Sequence, residues 1–464
     1  MTSASQPTAA LPTPASFGPV PSPRQLAWHQ RELYGFIHFT MNTFTGLEWG
    51  YGDEDPARFA PSALDCSQWV AAAKAGGLKA LILTAKHHDG FCLWPTDTTT
   101  HSVKRSPWRG GTGDVVAELA AACRTGGLEF GLYCSPWDRN HAGYGTPDYV
   151  KTYHAQFHEL LTRYGDLCEI WFDGANGGDG YYGGAREKRS IDRSNYYRFP
   201  ELWAECHRLQ PNAVLFSDAG PDIRWVGNER GIAGFTNWAI QRPEGIAPGQ
   251  VDSLTRLAQG DADGTVWRPS ECDVSIRPGW FWHEEEKPKT ADQLFGLWLA
   301  SVGHGSPLLL NLTPDRRGLI PDADIAELTG FKQRVDAFTA TDLARGQKVI
   351  VDRPGAGDPS ALVDGRTDTW WATSGTTGWI EIEFPKDLTI GGVRLEEAIA
   401  FGQRVESFII ESEYGDGWTE LAHGTTIGAQ RILRLPPVHT RRLRVRITGS
   451  KAAPVLRRFS VYAG

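Results

Sequence analysis

The feature that most constrains the fold is a regular alternation, from about residue 30 to residue 340, of short apolar runs and longer segments with helical periodicity. Two of these segments, "AAAKAGGLKALIL" (71–83) and "AAACRTGGLEFGL" (120–132), repeat one helix–Gly-Gly-Leu–strand unit about fifty residues apart. Strands that alternate with helices indicate βα units and a parallel sheet. The repeat length predicts an α/β fold, a (β/α)8 TIM-like barrel.

The individual elements follow from apolar runs and from helix start and stop signals. The predicted strands of the repeat are 34–39, 78–90, 128–136, 167–174 and 213–218, with 234–240, 265–276 and 306–311 supplying the remainder; the predicted helices are 65–77, 112–127, 149–165 and 195–211. A doubly wound open sheet is the alternative, but no GxGxxG motif follows a first strand, and polar residues end nearly every strand. The barrel is therefore preferred.

The pattern changes after a helix near 322–340. Residues 345–464 contain short alternating segments at 379–384, 392–397, 407–412 and 441–447, separated by Gly, Pro and Asp. This pattern predicts an antiparallel β-sandwich. The expected organisation is a disordered lead-in over 1–25, a catalytic barrel over 26–342 and a β-sandwich over 343–464.

Charge and composition limit the classes of partner. The net charge is −8 and there is no long basic run, so neither a nucleic-acid partner nor a membrane-surface partner is expected. The 18 Trp, 13 Tyr and 20 Phe are an aromatic surplus of the kind that stacks on flat apolar faces, and sugar is favoured over nucleobase because phosphate-binding charge is lacking.

The seven cysteines are odd in number and form no CxxC pair, so we expect buried thiols and no disulfide or zinc framework. The sequence contains no stretch of about 20 apolar residues, which is the length that a membrane-spanning helix needs. The N-terminus has neither a basic n-region nor a continuous apolar h-region, so the default expectation is a cytoplasmic protein, or a secreted one whose leader has been removed.

Polar groups end each of the first five predicted strands. They are His38, His87 and His88 with Asp89, Tyr133, Asp173 and Asp218. Any single strand-end histidine is more often a hydrogen-bonded core residue than a catalytic one. Five such positions at one end of a barrel are costly to bury unless they bind a ligand, so they predict one site.

Three chemistries are compatible with these groups. A barrel metal hydrolase commonly has two histidines spaced by one residue after the first strand. Here "HFT" (38–40) contains a single histidine, so no metal or cofactor is expected. Nucleophilic serine or cysteine chemistry lacks a GxSxG motif. Glycoside hydrolysis needs two carboxyl groups, one ionised and one protonated, beside aromatic residues, and it is the best match.

The ionised carboxyl group is predicted to be Asp173, at a strand end close to Trp171, with capping of the next loop as the structural alternative. The acid is harder to choose among 55 acidic residues. Glu229 in "PDIRWVGNERG" (221–231) is placed in a loop after the fifth strand, where Trp225 can shield it and raise its pKa. A plain surface-loop glutamate is the alternative.

Several motifs together resemble the α-L-fucosidases of glycoside hydrolase family 29, in order along about residues 30–320. They are "GFIHFTMNTFTGLEWGYG", "LTAKHHDGFCLWPT", "HSVKRSPW", "LYCSPWD", "EIWFDGANG" and "RWVGNERG". "RWVGNE" and "SIRPGWFWH" resemble the branch that removes α-1,3- or α-1,4-linked fucose from Lewis-type acceptors. A fucosylated oligosaccharide is therefore the implied substrate.

The resemblance also implies roles for individual residues. It implies a retaining double displacement, with Asp173 as nucleophile and Glu229 as acid/base. Trp282 is implied to cover the C5-methyl side of fucose, although a tyrosine is common there in that branch. The residues implied to bind the substrate are His38, Glu48, Trp49, His87, His88, Tyr133 and Trp171, with Arg224 as a further substrate contact.

"ALVDGRTDTWWATSG" and "GWIEIEF" resemble the discoidin-like, galactose-binding type of sandwich that often follows such a barrel. Trp370, Trp371 and Trp379 are candidates for a sugar-stacking platform, but tryptophans in "DTWW" more often belong to the core of such a sandwich or to its contact with the barrel. No acidic cluster predicts calcium. The alternative function is an inactive barrel that only binds carbohydrate, and the presence of both Asp173 and Glu229 favours the enzyme.

Overall fold

The computed structural model describes residues 13–251 and 253–464, and the chain divides into two compact units. The first unit is Ser22–Val302 with Ser306–Asp336. The second unit is Ala337–Gly464 together with Gly303–Gly305 and the described residues 13–21. Each unit has its own hydrophobic core.

The first unit is a closed barrel of eight parallel strands, which confirms the predicted fold class. Each strand pairs with its neighbours in chain order, and the first strand closes the barrel on the last in the register Leu33↔Leu308 to Ile37↔Leu312. In chain order the strands are β1 (Leu33–Ile37), β2 (Ala80–Lys86), β3 (Glu129–Cys134), β4 (Glu169–Trp171), β5 (Val214–Ser217), β6 (Ile223–Trp225), β7 (Ser270–Ser275) and β8 (Leu308–Leu312).

The helices begin and end largely where the sequence signals them. Asp65 accepts the N–H groups of Ser67 and Gln68 at the start of the third helix, and Gly127 ends the fourth in the left-handed region with φ of 72°. The helices are α1 (Pro23–His29), α2 (Met41–Thr45), α3 (Cys66–Ala75), α4 (Val115–Gly126), α5 (Pro147–Arg163), α6 (Phe199–Leu209), α7 (Leu254–Gln259), α8 (Ala291–Ala300) and α9 (Asp322–Thr339).

The barrel departs from a strict βα repeat between β5 and β6. Only residues 218–222 join these strands, with no helix between them. The segment predicted as the next strand, 234–240, is not a barrel strand; Ile240–Gln241 pairs instead with Val266–Trp267 in a small antiparallel sheet. The strand β6 has three residues with an arginine in the middle, so it lacks the apolar run by which strands are recognised.

Side chains at every second position of a strand point into the barrel and stack in layers. Near the bottom, Tyr34 donates from its hydroxyl to Glu271, and the Trp171 indole nitrogen donates to the other oxygen of Glu271 at 2.9 Å. Above this layer lies an aromatic one, in which Trp171 stacks on Phe216 with centroids 4.1 Å apart. The interior is therefore filled, and any pocket must open at the upper end.

The second unit is an antiparallel sheet domain whose strands enclose an apolar core. The predicted segments 379–384 and 392–397 are two parts of one long strand that carries register shifts. Trp371 is 1% exposed and lies in the core, as interpreted, whereas Trp370 packs edge-on against Phe401. The strands are β9 (Lys348–Val351), β10 (Trp371–Ala372), β11 (Gly378–Glu397), β12 (Val405–Tyr414), β13 (Gly417–Gly424), β14 (Arg431–Ser450) and β15 (Val455–Tyr462).

The predicted disordered lead-in over 1–25 needs correction in its second half. Residues 1–12 lie outside the described residues. Phe17 donates its N–H to the carbonyl of Phe401 at 3.0 Å, and α1 already begins at Pro23 behind a capping box formed by Ser22 and Gln25. The capping box satisfies N–H groups that the first helical turn leaves free, which stabilises a segment too polar to be recognised as structured.

All seven cysteines are free and buried, as expected. None of the helices in the described part of the chain combines the length and the apolar character needed to cross a membrane.

Candidate active site

One pocket opens at the carboxyl ends of the barrel strands, and both candidate catalytic carboxyl groups line it. Eight of the eleven residues assigned from the sequence lie in its wall: His38, Trp49, His87, His88, Tyr133, Trp171, Asp173 and Glu229. Phe36, Ala175, Asp273 and Trp280 complete the lining. Convergence of strand ends is what a closed parallel barrel imposes on such residues.

Asp173 follows β4 and is held by hydrogen bonds to both carboxylate oxygens. The Tyr133 hydroxyl donates to Oδ2 at 2.8 Å, and the main-chain N–H of Ala175 donates to Oδ1 at 2.6 Å. His88 Nε2 lies 3.9 Å from Oδ2. The side chain is 23% exposed, so the carboxylate is fixed in orientation and still faces the pocket.

Glu229 lies across the pocket, in the loop after β6 and not after the fifth strand as predicted, because residues 223–225 form an additional short strand. The Trp280 indole nitrogen donates to Glu229 Oε2 at 3.2 Å. Burial raises the pKa of Glu229, and the negative charges of Asp173 and Glu48 raise the pKa further, while the Trp280 hydrogen bond opposes the rise. The surroundings of Glu229 thus favour its protonated form.

The shielding residue differs from the expected one. Trp225 donates its indole N–H to Asp273 Oδ1 at 2.8 Å, and Trp280 is the tryptophan that contacts Glu229.

Three buried histidines line the pocket and are uncharged near neutral pH. Burial lowers the pKa of His38 to about 3 and that of His88 to about 4. Burial, together with the two neighbouring histidines, lowers the pKa of His87 well below its usual range. Neutral imidazoles each present one donor and one acceptor, which suits hydroxyl groups.

Hydrogen-bond partners set which nitrogen of two of these rings carries the proton. Asn311 donates from its amide nitrogen to the carbonyl of Trp280, so its oxygen accepts from His38 Nδ1 at 2.8 Å. Asn42 accepts from the N–H of Gly50 and donates from its amide nitrogen to His87 Nδ1 at 3.2 Å. His38 therefore keeps Nε2 as an acceptor, whereas His87 keeps Nε2–H as a donor.

The remaining wall is aromatic. Trp49 is 55% exposed at the mouth and meets His88 and Trp137 edge-on, with centroids 5.2 and 5.7 Å away. Trp280 packs against His38 at 5.1 Å. Flat aromatic faces beside neutral hydrogen-bonding groups match a ring that has an apolar face and a rim of hydroxyls.

Arg224 is not a pocket residue. It is fully buried, and its guanidinium donates to the carbonyls of Leu257, Trp238 and Arg268. Ile223 and Trp225 belong to the barrel interior, so strand alternation turns Arg224 to the outer face. The assignment of Arg224 as a substrate contact is therefore wrong, and its role is to satisfy main-chain carbonyls.

Trp282 also lies outside the pocket lining, with the Arg316 guanidinium over its ring at 5.8 Å. The tryptophan two residues earlier, Trp280, lines the pocket in its place. Both belong to the loop after β7, where side-chain direction is set by the local turn and not by strand alternation.

Two strand-end aspartates predicted to converge on the site do not line the pocket either. Asp89 turns back to accept the N–H of Phe91 at 2.7 Å. Asp218 accepts the N–H of Gly249 at 2.9 Å, and burial together with the charge of Asp173 raises the pKa of Asp218 to about 6. In the described part of the chain, no group of three or more His, Cys, Asp or Glu side chains is arranged to hold a metal ion.

Glu48 lies outside the lining and acts on the pocket through the loop after β7. Its oxygens accept the N–H of Trp280 at 2.8 Å, the N–H of Phe281 at 3.3 Å and a hydrogen bond from His283 Nε2 at 2.7 Å. Glu48 therefore has a positioning role for Trp280, and its assignment as a direct sugar contact stays a prediction.

We expect Glu48→Gln to lower kcat/KM about 10- to 100-fold, because one carboxylate oxygen becomes an amide donor that faces the N–H groups of Trp280 and Phe281. The alkaline limb of the pH–rate profile should also move to lower pH, since a negative charge that raises the pKa of Glu229 is lost. The exposed Glu284→Gln in the same loop is the matched control and should behave as the wild type. An unchanged Glu48→Gln profile would contradict the positioning role.

Four lining residues had not been assigned from the sequence. A signal existed for two of them. Phe36 lies on β1, two residues before His38, and strand alternation places its side chain inside the barrel. Asp273 lies on β7, two residues after the buried Glu271, and the same alternation places its side chain inside the barrel. Ala175 and Trp280 lie in loops, where no periodicity applies.

Comparison with known proteins gives a consistent family. A family model described as alpha-L-fucosidase matches residues 16–335, and one described as an F5/8 type C domain matches residues 346–459. The chain is 43% identical to a putative alpha-L-fucosidase 1 of Oryza sativa, covering 98% of this chain and 87% of that protein. It is 41% identical to alpha-L-fucosidase 1 of Arabidopsis thaliana, covering 97% and 89%.

Solved structures of similar proteins point to the same family. The structure called SpGH29 is 38% identical with a TM-score of 0.90, covering 97% of this chain and 99% of that one. A Ruminococcus gnavus GH29 fucosidase in complex with fucose is 32% identical with a TM-score of 0.87, covering 97% and 96%. With both family models matched in order, the chain belongs to the alpha-L-fucosidases of glycoside hydrolase family 29, with a C-terminal F5/8 type C domain.

Proposed function

We propose that this alpha-L-fucosidase is an exo-acting, retaining enzyme that releases terminal α-1,3- or α-1,4-linked L-fucose from Lewis-type oligosaccharides. The observation that carries the mechanism is the pairing of two unlike carboxyl groups in one pocket. Asp173 is oriented by Tyr133, and Glu229 has a raised pKa beneath Trp280. Two carboxyl groups in contrasting environments are what glycoside hydrolysis requires.

In the first step, Asp173 attacks the anomeric carbon, and Glu229 gives its proton to the departing glycosidic oxygen. A fucosyl ester of Asp173 forms as the bond to the acceptor sugar breaks. Loss of the Glu229 proton removes the acid, so activity should fall as the pH rises through the pKa of Glu229.

In the second step, Glu229 as a carboxylate removes a proton from water, and the water oxygen attacks the anomeric carbon. The ester bond to Asp173 breaks, and fucose leaves with its original anomeric configuration. Retention requires the two carboxyl groups to lie about 5–5.5 Å apart across the substrate.

The closed floor of the pocket supports the exo mode. Phe36 and Trp171 line its lower part, and Phe216 packs behind Trp171 within the barrel core. A chain of sugars cannot pass through this layer, so only a terminal residue can enter with its hydroxyls toward the histidines.

The linkage preference is tested with isomers of one trisaccharide. We expect 3-fucosyllactose and a Lewis-type oligosaccharide to release fucose at least about tenfold faster, in kcat/KM, than 2′-fucosyllactose, a difference of about 1.4 kcal/mol in the transition state. Fucose release is measured at equal substrate concentrations below KM. Equal or faster cleavage of 2′-fucosyllactose would overturn the linkage assignment and leave the fucosidase activity intact.

A further inference from the structure

Strand β7 carries two buried carboxyl groups on its inward face, and only one of them has both oxygens occupied by the protein. Glu271 accepts the Tyr34 hydroxyl at one oxygen and the Trp171 indole N–H at the other. Asp273, one layer higher, accepts the Trp225 indole N–H at Oδ1. In the described part of the chain no other residue hydrogen-bonds to Asp273 Oδ2.

Asp273 is 3% exposed and lines the catalytic pocket beside Trp280 and Glu229. Polar atoms in folded proteins are nearly always paired with protein, water or ligand. The free oxygen of Asp273 faces the cavity in which the sugar is proposed to bind. A ligand atom in the pocket can supply the missing partner.

The protonation state of Asp273 decides what it offers. Burial raises the pKa of Asp273 well above its usual range, and the charges of Glu229 and Glu271 raise it further. Because Oδ1 accepts the Trp225 N–H, the proton of the neutral acid resides on Oδ2. At pH values below that raised pKa, the group directed at the pocket is a hydroxyl donor.

We propose that Asp273 is a further substrate-binding residue, whose Oδ2–H donates a hydrogen bond to an oxygen of the fucose bound in the pocket. The inference rests on the proposed function of this pocket. In the closed order of eight strands, β7 lies opposite β3, which carries Tyr133, and the histidines follow β1 and β2. Asp273 therefore reaches the pocket from a different strand than Tyr133 and the histidines.

Three variants of the full chain separate this role from simple packing. Asp273→Asn keeps an oxygen for Trp225 and places an amide donor where Oδ2–H lies, so L-fucose should bind within about threefold of the wild type. Asp273→Leu removes both the acceptor for Trp225 and the donor toward the pocket, and L-fucose affinity should fall about tenfold or more. Glu284→Gln, at an exposed position in the loop after β7, is the matched control and should bind L-fucose as the wild type does. L-fucose binding is measured by calorimetry, and folding by thermal unfolding.

The pH dependence gives a second readout that a packing role would not change. The other ionisable groups facing the pocket, Glu229, Asp173, Tyr133 and the three histidines, are identical in the wild type and Asp273→Asn, as is Glu271 below. As the pH rises through the raised pKa of Asp273, the wild type should lose L-fucose affinity relative to Asp273→Asn, which cannot ionise.

The outcomes distinguish this inference from the function itself. Wild-type affinity in Asp273→Leu, or equal loss in the Asn and Leu variants, would overturn the role of Asp273 while fucose binding by the wild type stands. Failure of the wild type to bind L-fucose would overturn the proposed function of the pocket. If Asp273→Leu does not fold, the pH dependence of the wild type against Asp273→Asn decides: a difference supports the donor, and identical curves refute it.

Discussion

Asp173→Ala should lower the turnover of fucosides on the order of 10⁴-fold, the largest effect expected of any single substitution in this chain. The reason is that Asp173 is the only carboxylate of the pocket held at both oxygens, by Tyr133 and by the N–H of Ala175. No neighbouring group in the described pocket wall has this orientation, so none can replace it as nucleophile. Turnover is measured with an aryl fucoside and with a natural trisaccharide.

Azide should restore turnover of Asp173→Ala, because the lost side chain leaves space for a small anionic nucleophile. The product should be β-L-fucosyl azide, inverted relative to the substrate. Asp179→Ala, at an exposed aspartate in the following hairpin, is the matched control and should keep wild-type activity. Near wild-type turnover in Asp173→Ala, or no azide product, would assign the nucleophile elsewhere.

Glu229→Ala should have the second largest effect, and its size should depend on the leaving group. Natural substrates need a proton on the departing oxygen, so their kcat should fall 10²- to 10⁴-fold. An aryl fucoside with a good leaving group needs little protonation of the departing oxygen in the first step, so its kcat should fall far less. Equal losses on both substrates would contradict the assignment of the acid.

Two further observations should accompany this variant. The alkaline limb of the wild-type profile, which reports loss of the Glu229 proton, should be absent in Glu229→Gln. With azide, Glu229→Ala should form α-L-fucosyl azide, since Asp173 still forms the ester and azide then attacks it. The two alanine variants thus give azide products of opposite configuration, which separates nucleophile from acid in one assay.

The barrel and much of its site could be predicted from the sequence because βα periodicity fixes where strands end. His38, His87, His88, Tyr133 and Asp173 lie at or just after the carboxyl ends of consecutive strands, and a closed parallel barrel brings such positions together. The C-terminal sheet was likewise recognisable from its alternating segments, and its match to an F5/8 type C domain agrees.

The sequence-based predictions differ from the structure at β6, at Arg224 and in the loop after β7. The strand β6 is too short to be recognised, so Glu229 was placed one strand too early. Alternation on β6 turns Arg224 outward, and that rule would have excluded it from the pocket. In "GWFWH" two tryptophans lie two residues apart in a loop, where tertiary contacts, such as those of Glu48 with the N–H groups of Trp280 and Phe281, determine which one faces Glu229.

The central claim, that Asp173 forms a covalent bond with the sugar opposite Glu229, is tested most directly by trapping the intermediate. A 2-deoxy-2-fluoro-α-L-fucosyl fluoride has a fluorine at C2 that slows both steps and a leaving group that favours the first, so the ester should accumulate. The intact protein should gain the mass of one fluorofucosyl group, and the peptide that contains Asp173 should carry it. An adduct on another carboxyl group, or none on an enzyme that is inactivated by the reagent, would contradict the account.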